Sequence, residues 1–416
     1  MVTERKLVAP STAPAILGFM KFALISSILF FILGVSGSLS ARMTMKAVIK
    51  EPVVDVVGQS LRPLCSDVMA VFLSFPVAPD KGSSACLRLH QLLFNQEVTI
   101  VKELLNGEVH VEVTDLFYLD GLHRKRNDFW MLKKDLILLS SLSKEAGEAV
   151  PCATTKDEQL AVSVPWYCDE TKRTYSVGTR FVRYPENDTE SSYGILMVDP
   201  MTKKILKILI PQDKAAIPEK SFIKARQIFL SLLRGWAHHA EGFIPYIYGG
   251  CSFVKPITEQ GFLRISGVQC GQKATYWERT GYTDIPKSGF DCSSMILRAA
   301  QIAGLPYEYK NTLALVSDLR PLKLGDVLEE GDLIWYSGHV MILSDVKKNL
   351  IIEAIGYEAG YGKVHEIPIS KVFSGIKNCE ELKQAHFTKH LTYRLNSSGT
   401  PWRSVYRVKI LKLTTG

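Results

Sequence analysis

The chain has no Cys-x-x-Cys pair and no His-Glu-x-x-His. Those spacings mark structural zinc and helix-borne catalytic metals, so no metal and no cofactor are expected. No glycine-rich phosphate loop is present, which removes the commonest nucleotide-binding chemistry. No Lys/Arg block suits nucleic acid, because the net charge of +8 is spread over 416 residues. No fixed-period repeat is found, which excludes a solenoid or propeller. Long apolar runs are equally scarce. The one of note, Phe22 to Val35, is too short for a confident membrane span. Lys21 precedes it and Ser36-Gly37-Ser38-Leu39-Ser40-Ala41 follows, the layout of a secretory signal peptide over residues 1–41. Met20-Lys21-Phe22 would itself be a normal signal start. No cysteine stands near the cleavage zone, which argues against a lipid anchor; an uncleaved N-terminal anchor is the alternative. The mature chain is therefore expected in the periplasm or secreted, with no stable membrane span.

Eight cysteines in an exported chain raise the question of disulfides. Cys251 and Cys270 bracket one stretch, and Cys152 and Cys168 bracket another. Either pair could be bridged, and Cys251 and Cys270 are expected to lie close together.

The stretch that organises the chain is Gly289-Phe290-Asp291-Cys292-Ser293-Ser294, followed by a helical pattern. Apolar residues at 295, 296, 299, 302 and 303 form one helix face, and Gly304 stands at the C-cap position. Asp291, Ser293 and Ser294 are all candidate N-caps. Cys292 therefore sits at a helix N-terminus, where free N–H groups and the dipole favour a thiolate. Further on, Gly331 to Tyr336, His339 to Leu343 and Asn349 to Ala354 read as an antiparallel meander, with Ser337-Gly338 as a turn. A helix-end cysteine followed by a strand-borne histidine is the thiol-hydrolase layout. The imidazole takes the thiol proton and a third polar group orients the ring. Glu353 lies one strand beyond His339. His365 lies further on, past Gly360-Tyr361-Gly362. Glu353 is expected to be the third residue, facing His339 across the hairpin.

These motifs resemble the NlpC family of bacterial papain-like cell-wall peptidases. Phe290-Asp291-Cys292-Ser293-Ser294 resembles its Asp-Cys-Ser signature. Gly331-Asp332-Leu333 with Gly338-His339-Val340 resembles its histidine motif, and Pro245-Tyr246-Ile247-Tyr248-Gly249-Gly250 its aromatic-Gly-Gly motif. The resemblance covers roughly residues 222–416. Two features depart from it: Glu353 stands where His, Asn or Gln is usual, and the segment between Gly250 and Cys292 is long.

The resemblance implies an α+β fold, with a helix-borne cysteine packed on an antiparallel sheet. It implies hydrolysis of murein stem peptides or peptidoglycan at the γ-D-glutamyl–diamino acid bond, in peptides with a free N-terminal L-alanine. Cys292, His339 and Glu353 would be catalytic. Tyr246, with the Cys292 backbone N–H, would hold the oxyanion. Asp291, with Ser293 beside it, would read the alanine amine, although both also suit helix capping. An acyltransferase or amidase on the same fold, or a non-catalytic wall-binding module, are the alternatives.

Ahead of that domain lie short β segments. Asn106-Gly107 is a hairpin signal and Glu108 to Val113 alternates strictly. Residues 42–140 resemble the bacterial SH3-like barrels that precede many such peptidases, and are expected to narrow the cleft. The basic run His123-Arg124-Lys125-Arg126 lies in a loop of this unit. Residues 141–160 read as a linker, 161–215 as a second SH3-like unit, and 221–416 as the peptidase domain. A helix is expected from Ser221 to about His238.

Overall fold

The computed structural model describes residues 44–58, 60, 88–153, 158–257, 288–389 and 391–413. The expected signal peptide and Cys270 lie outside the described residues. No helix among the described residues is long and apolar enough to cross a membrane.

The first sheet contains β1 (Met45–Ile49), β2 (Val53–Val57), β3 (Arg88–Leu93), β4 (Glu97–Glu103) and β5 (Glu108–Glu112). After the small ribbon β6 (Tyr118–Leu119) and β7 (Lys125–Arg126) come β8 (Asp128–Leu132) and β9 (Leu136–Leu138). Its order is β3-β2-β8-β5-β4-β1-β9, antiparallel throughout. The alternation along β5 places Val109 and Val111 in the core, as period two requires. The basic run carries its own partners: Arg124 pairs with Asp120 and Arg126 with Asp128, and the Lys125 ammonium lies 3.6 Å from the Phe117 ring centre.

Residues 141–153 of the stretch expected to be a linker are folded into the molecule. A short helix, α1 (Lys144–Glu148), is capped by Ser143, whose hydroxyl accepts from the Ala146 N–H at 3.2 Å. Ala146, Ala149 and Val150 pack with Val48, Ile137 and Val198, joining the first sheet to the second.

The second sheet contains β10 (Gln159–Val162), β13 (Arg180–Arg183), β14 (Ser192–Val198), β15 (Ile205–Pro211) and β16 (Ala215–Ala216), with the ribbon β11 (Trp166–Cys168) and β12 (Arg173–Tyr175) beside it. Its order is β15-β14-β13-β10-β16. Trp166, Tyr175 and Phe181 form an aromatic cluster that takes in Phe94 from the first sheet, 4.9 Å from Tyr175 between ring centres.

The remaining residues form helix α2 (Phe222–Ala237), a two-strand ladder of β17 (Cys251–Ser252) and β18 (Gly289–Phe290), and helices α3 (Cys292–Ala303) and α4 (Thr312–Asp318). Then come β19 (Leu333–Tyr336), β20 (His339–Asp345), β21 (Leu350–Ile355) and β22 (Lys363–Pro368), followed by helix α5 (Cys379–Thr388). The ribbon β23 (Thr392–Leu395) and β24 (Pro401–Val405) and the strand β25 (Lys409–Leu411) complete the chain. The third sheet runs β22-β21-β20-β19-β25. The long segment after Gly250 is stitched at its base, where Cys251 pairs with Phe290 and Ser252 with Gly289.

Helix α3 has the expected limits, with Gly304 left-handed at its C-cap. A Cβ at Gly304 would sit 2.6 Å from the Glu219 carbonyl, so glycine is required there. All twelve of its residues are buried, however, not one face alone. The apolar face meets α2 and the third sheet, with Met295, Ile296, Leu297 and Ile302 fully enclosed. Each such side chain contributes roughly 1.5–3 kcal/mol relative to an exposed position. The opposite face carries Arg298 and Gln301, and the N-terminal sheets cover it. The Gln301 amide donates to the Asp115 carbonyl at 3.4 Å.

Candidate active site

Cys292 is the first residue of α3, and Asp291 is its N-cap. Asp291 Oδ1 accepts from the Ser294 N–H at 2.6 Å and from the Ser293 hydroxyl at 3.1 Å. Oδ2 accepts from the Gly249 N–H at 3.1 Å and from the Lys310 ammonium at 3.0 Å. Three N–H donors from the chain itself thus point at the carboxylate, and the Ser293 hydroxyl, with its single proton, is shared between Asp291 and the Lys310 carbonyl. One ammonium, that of the buried Lys310, already lies against the carboxylate expected to read a substrate amine. Ser293 is likewise turned inward and donates to the Lys310 carbonyl at 2.7 Å. Burial opposes charge on Lys310, but Asp291 more than reverses this and raises its pKa.

The aromatic-Gly-Gly segment lies along the strand entering Cys292. Ile247 donates to the Phe290 carbonyl at 3.0 Å and Asp291 to the Gly250 carbonyl at 3.0 Å. Gly249 has φ +69°, and a Cβ on it would lie 2.6 Å from the Arg88 carbonyl. The first sheet holds this segment from behind. Buried Asp55 binds Arg88 and Gln91, and the Gln91 side-chain oxygen accepts from the Cys251 N–H at 2.9 Å and the Ser252 hydroxyl at 2.7 Å. The segment between β5 and the ribbon strand β6 also flanks the loop after α3: the Phe117 N–H donates to the Glu308 carbonyl and the Lys310 N–H to the Phe117 carbonyl.

His339 opens β20 after the Ser337-Gly338 turn and pairs across it with Tyr336. Its Nε2 lies 2.8 Å from Glu353 Oε2. Glu353 is fully buried on β21, and its Oε1 takes His365 Nε2 at 3.1 Å and the Arg394 guanidinium. Burial alone would raise the Glu353 carboxyl. The Arg394 charge and the bonds from His339 and His365 outweigh it and hold it well below the usual range. An ionised carboxylate only accepts, so both histidines present Nε2–H to it. That tautomer leaves the His339 Nδ1 lone pair free to act as a base.

The register corrects one detail of the sequence expectation. Ile342 faces Ile352 across β20 and β21, so His339 and Glu353 are diagonal neighbours on one face, not directly opposed residues. His365 is the residue directly opposite Glu353, on β22. It touches the carboxylate from the other side.

Burial, and then the Asp291 charge, push Cys292 up to about 12, against the Val340 and Ser293 backbone N–H groups that favour the thiolate. Burial also lowers His339, and Glu353 offsets this only in part. Both shifts act in favour of the thiol and the neutral imidazole, against the thiolate that the helix end alone favours. The half-buried Tyr246 is raised well above the usual phenol by burial, then by Cys292 and Asp291, so it remains an O–H donor.

Lys310 and Arg394 were not foreseen. Arg394 had a faint signal: on β23, Thr392 and Arg394 occupy the inward parity while Tyr393 is exposed. Lys310 had none. Cys251, Cys152 and Cys168 are all free thiols, so the Cys152–Cys168 bridge is not formed. No group of three or more His, Cys, Asp or Glu among the described residues is placed to hold a metal ion.

No protein-family model matches the chain, and no curated protein matches it in sequence. Among solved structures it is similar to NlpC1 from Trichomonas vaginalis, at 13% identity over 79% of this chain and 90% of that one, with a TM-score of 0.29. NlpC2 from the same organism gives 12% identity, 78% and 92% coverage and a TM-score of 0.28. The peptidoglycan hydrolase RipB from Mycobacterium tuberculosis gives 18% identity, 47% and 69% coverage and a TM-score of 0.25.

Proposed function

We propose that this chain is an exported cysteine peptidase that cleaves the γ-D-glutamyl–diamino acid amide of murein stem peptides. One observation carries the chemistry: His339 Nε2 is tied to an ionised, fully buried Glu353, which leaves Nδ1 free, and the N–H of the next residue, Val340, reaches the Cys292 thiol. The substrate class rests on the NlpC-type motifs around these residues.

In this reading His339 Nδ1 takes the Cys292 proton as Sγ attacks the amide carbonyl. Starting from a neutral pair, the transfer accompanies attack. The Cys292 N–H and the Tyr246 hydroxyl hold the oxyanion. The imidazolium, stabilised by Glu353, protonates the leaving amine. Water, deprotonated at the same nitrogen, then hydrolyses the thioester and restores the thiol. Asp291 braces this assembly and does not bind the alanine amine, so N-acetylated peptides are substrates too. In the same reading the two N-terminal sheets are SH3-like units that narrow the cleft, the first through the Phe117 segment bonded to Glu308 and Lys310.

The test is incubation with L-Ala-γ-D-Glu-diaminopimelate and with its N-acetylated form, read by mass spectrometry. Release of diaminopimelate from both supports the proposal, and intact peptide in both arms refutes it. Export rests on the Phe22–Val35 run. N-terminal sequencing of protein from the native host is expected to begin between about residues 37 and 43, and an intact N-terminus on cytosolic protein overturns it.

A further inference from the structure

A second cavity, of about 400 Å³, lies where the first sheet, the second sheet and α3 meet. Its charged lining is Lys46, Glu97, Asp115, Arg180 and Arg298, and Cys152 stands among these residues. Two of the cations have carboxylate partners: Lys46 is 2.8 Å from Glu97, and Arg180 is 3.6 Å from Asp115. Arg298, only 3% exposed, has none among the described residues. Its Nε and Nη2 donate to the Cys251 carbonyl at 3.1 and 3.0 Å, and its Nη1 to the Gln301 side-chain oxygen at 2.9 Å. Both acceptors are neutral. Three of the five guanidinium N–H groups are used, and two remain.

A buried charge without a counter-charge is costly. Here the unmatched charge lies in a cavity lined by a second guanidinium. Burial, and then Asp115 and Arg298, act on Arg180, with the balance against its charged form. The lining carries three cationic side chains and two carboxylates, so one positive charge is left without a counter-charge. The cavity volume is that of a small-molecule site, and both Arg180 and Arg298 line it, groups whose planar fork suits an oxyanion. Arg298 lies six residues beyond Cys292, about 9 Å along the helix axis, so this is not the catalytic site.

We propose that this cavity is a binding site for a small organic anion, whose terminal carboxylate or phosphate group is held between Arg180 and Arg298. The Cys152 thiol at the cavity provides a local reporter. The full chain is labelled with a neutral maleimide in inorganic phosphate, in acetate and in sodium chloride of equal ionic strength. Mass spectrometry of the Cys152 peptide gives the rate. Once the anion exceeds its dissociation constant several-fold, labelling slows by about fivefold relative to chloride. Protection by phosphate alone, by acetate alone or by both supports the site and identifies the group it takes. Arg180→Gln, at a partly exposed position, is expected to remove the protection. Arg298→Gln is expected to do the same, and Arg298→Lys to restore part of it. Equal labelling in all three salts, or protection that survives Arg180→Gln, overturns the proposal.

Discussion

Glu353 accepts from His339 at 2.8 Å through one oxygen, while its other oxygen is held by Arg394 and His365. The carboxylate thus faces the His339 imidazole on one side and a buried cation on the other. It orients the ring, fixes its tautomer and stabilises its protonated form. Replacing Glu353 by Gln keeps the shape and removes the charge. We expect kcat/KM to fall by about tenfold to a hundredfold, the cost typical of losing an orienting partner. Glu353 raises His339, so its loss should also move the acid limb of the pH–rate profile to lower pH. A profile and rate unchanged in both Glu353→Gln and Glu353→Ala contradict the assignment.

Arg394 is fully buried and keeps Glu353 ionised. Arg394→Met leaves that carboxylate buried without its cation and should cost about 3–5 kcal/mol at neutral pH. The depressed wild-type carboxyl stabilises the fold above the ordinary glutamate range and loses that contribution as pH falls through its folded value. The gap between wild type and variant should therefore narrow below about pH 4. Adding Glu353→Gln should recover much of the loss at neutral pH. Denaturant melts across pH and the double-mutant cycle read this out, and additive effects of the two changes argue against the pairing.

The raised Cys292 thiol predicts slow alkylation in mild acid. Labelling by iodoacetamide should climb about tenfold per pH unit through neutral and alkaline pH, following the thiolate fraction. A plateau already reached near pH 6 would mean a preformed thiolate–imidazolium pair. Lys310→Met removes a charge that favours the thiolate, and should slow labelling further at every pH below the plateau.

Gly249 is held at φ +69° against the Arg88 carbonyl, and its N–H binds Asp291. Gly249→Ala meets both a backbone clash and a strained dihedral, and should cost about 2 kcal/mol or more. Because this turn braces the Cys292 cap, activity measured well below the melting temperature should drop as well. A variant as stable and active as wild type would show that the segment carries no such strain.

The elements that carry the candidate site were readable because they rest on local signals. The cap, the apolar spacing and Gly304 delimit α3 without reference to the rest of the chain. The Ser337-Gly338 turn and the alternating strands around it bring Glu353 next to His339 in space. What was not legible depends on contacts distant in sequence. Covering Arg298 and Gln301 takes strands more than a hundred residues earlier, so α3 looked amphipathic when it is enclosed. Lys310 reaches Asp291 from a loop with no periodic pattern, and its ammonium takes the place expected for a substrate amine. The helix end favours a thiolate, but burial outweighs it, and burial is a property of the assembled fold. The 141–160 stretch looked like a linker because its composition is polar, yet Ala146, Ala149 and Val150 give it an apolar anchor.

The central claim is that the Cys292 sulfur becomes acylated by the substrate. The most direct measurement is rapid acid quenching during turnover of L-Ala-γ-D-Glu-diaminopimelate, followed by digestion and mass spectrometry of the peptide containing Cys292. We predict an added L-alanyl-γ-D-glutamyl group on Cys292, labile to hydroxylamine as a thioester is, and no product or adduct with Cys292→Ala. Cleavage that persists in Cys292→Ala, with no adduct on the wild-type peptide, would contradict the account.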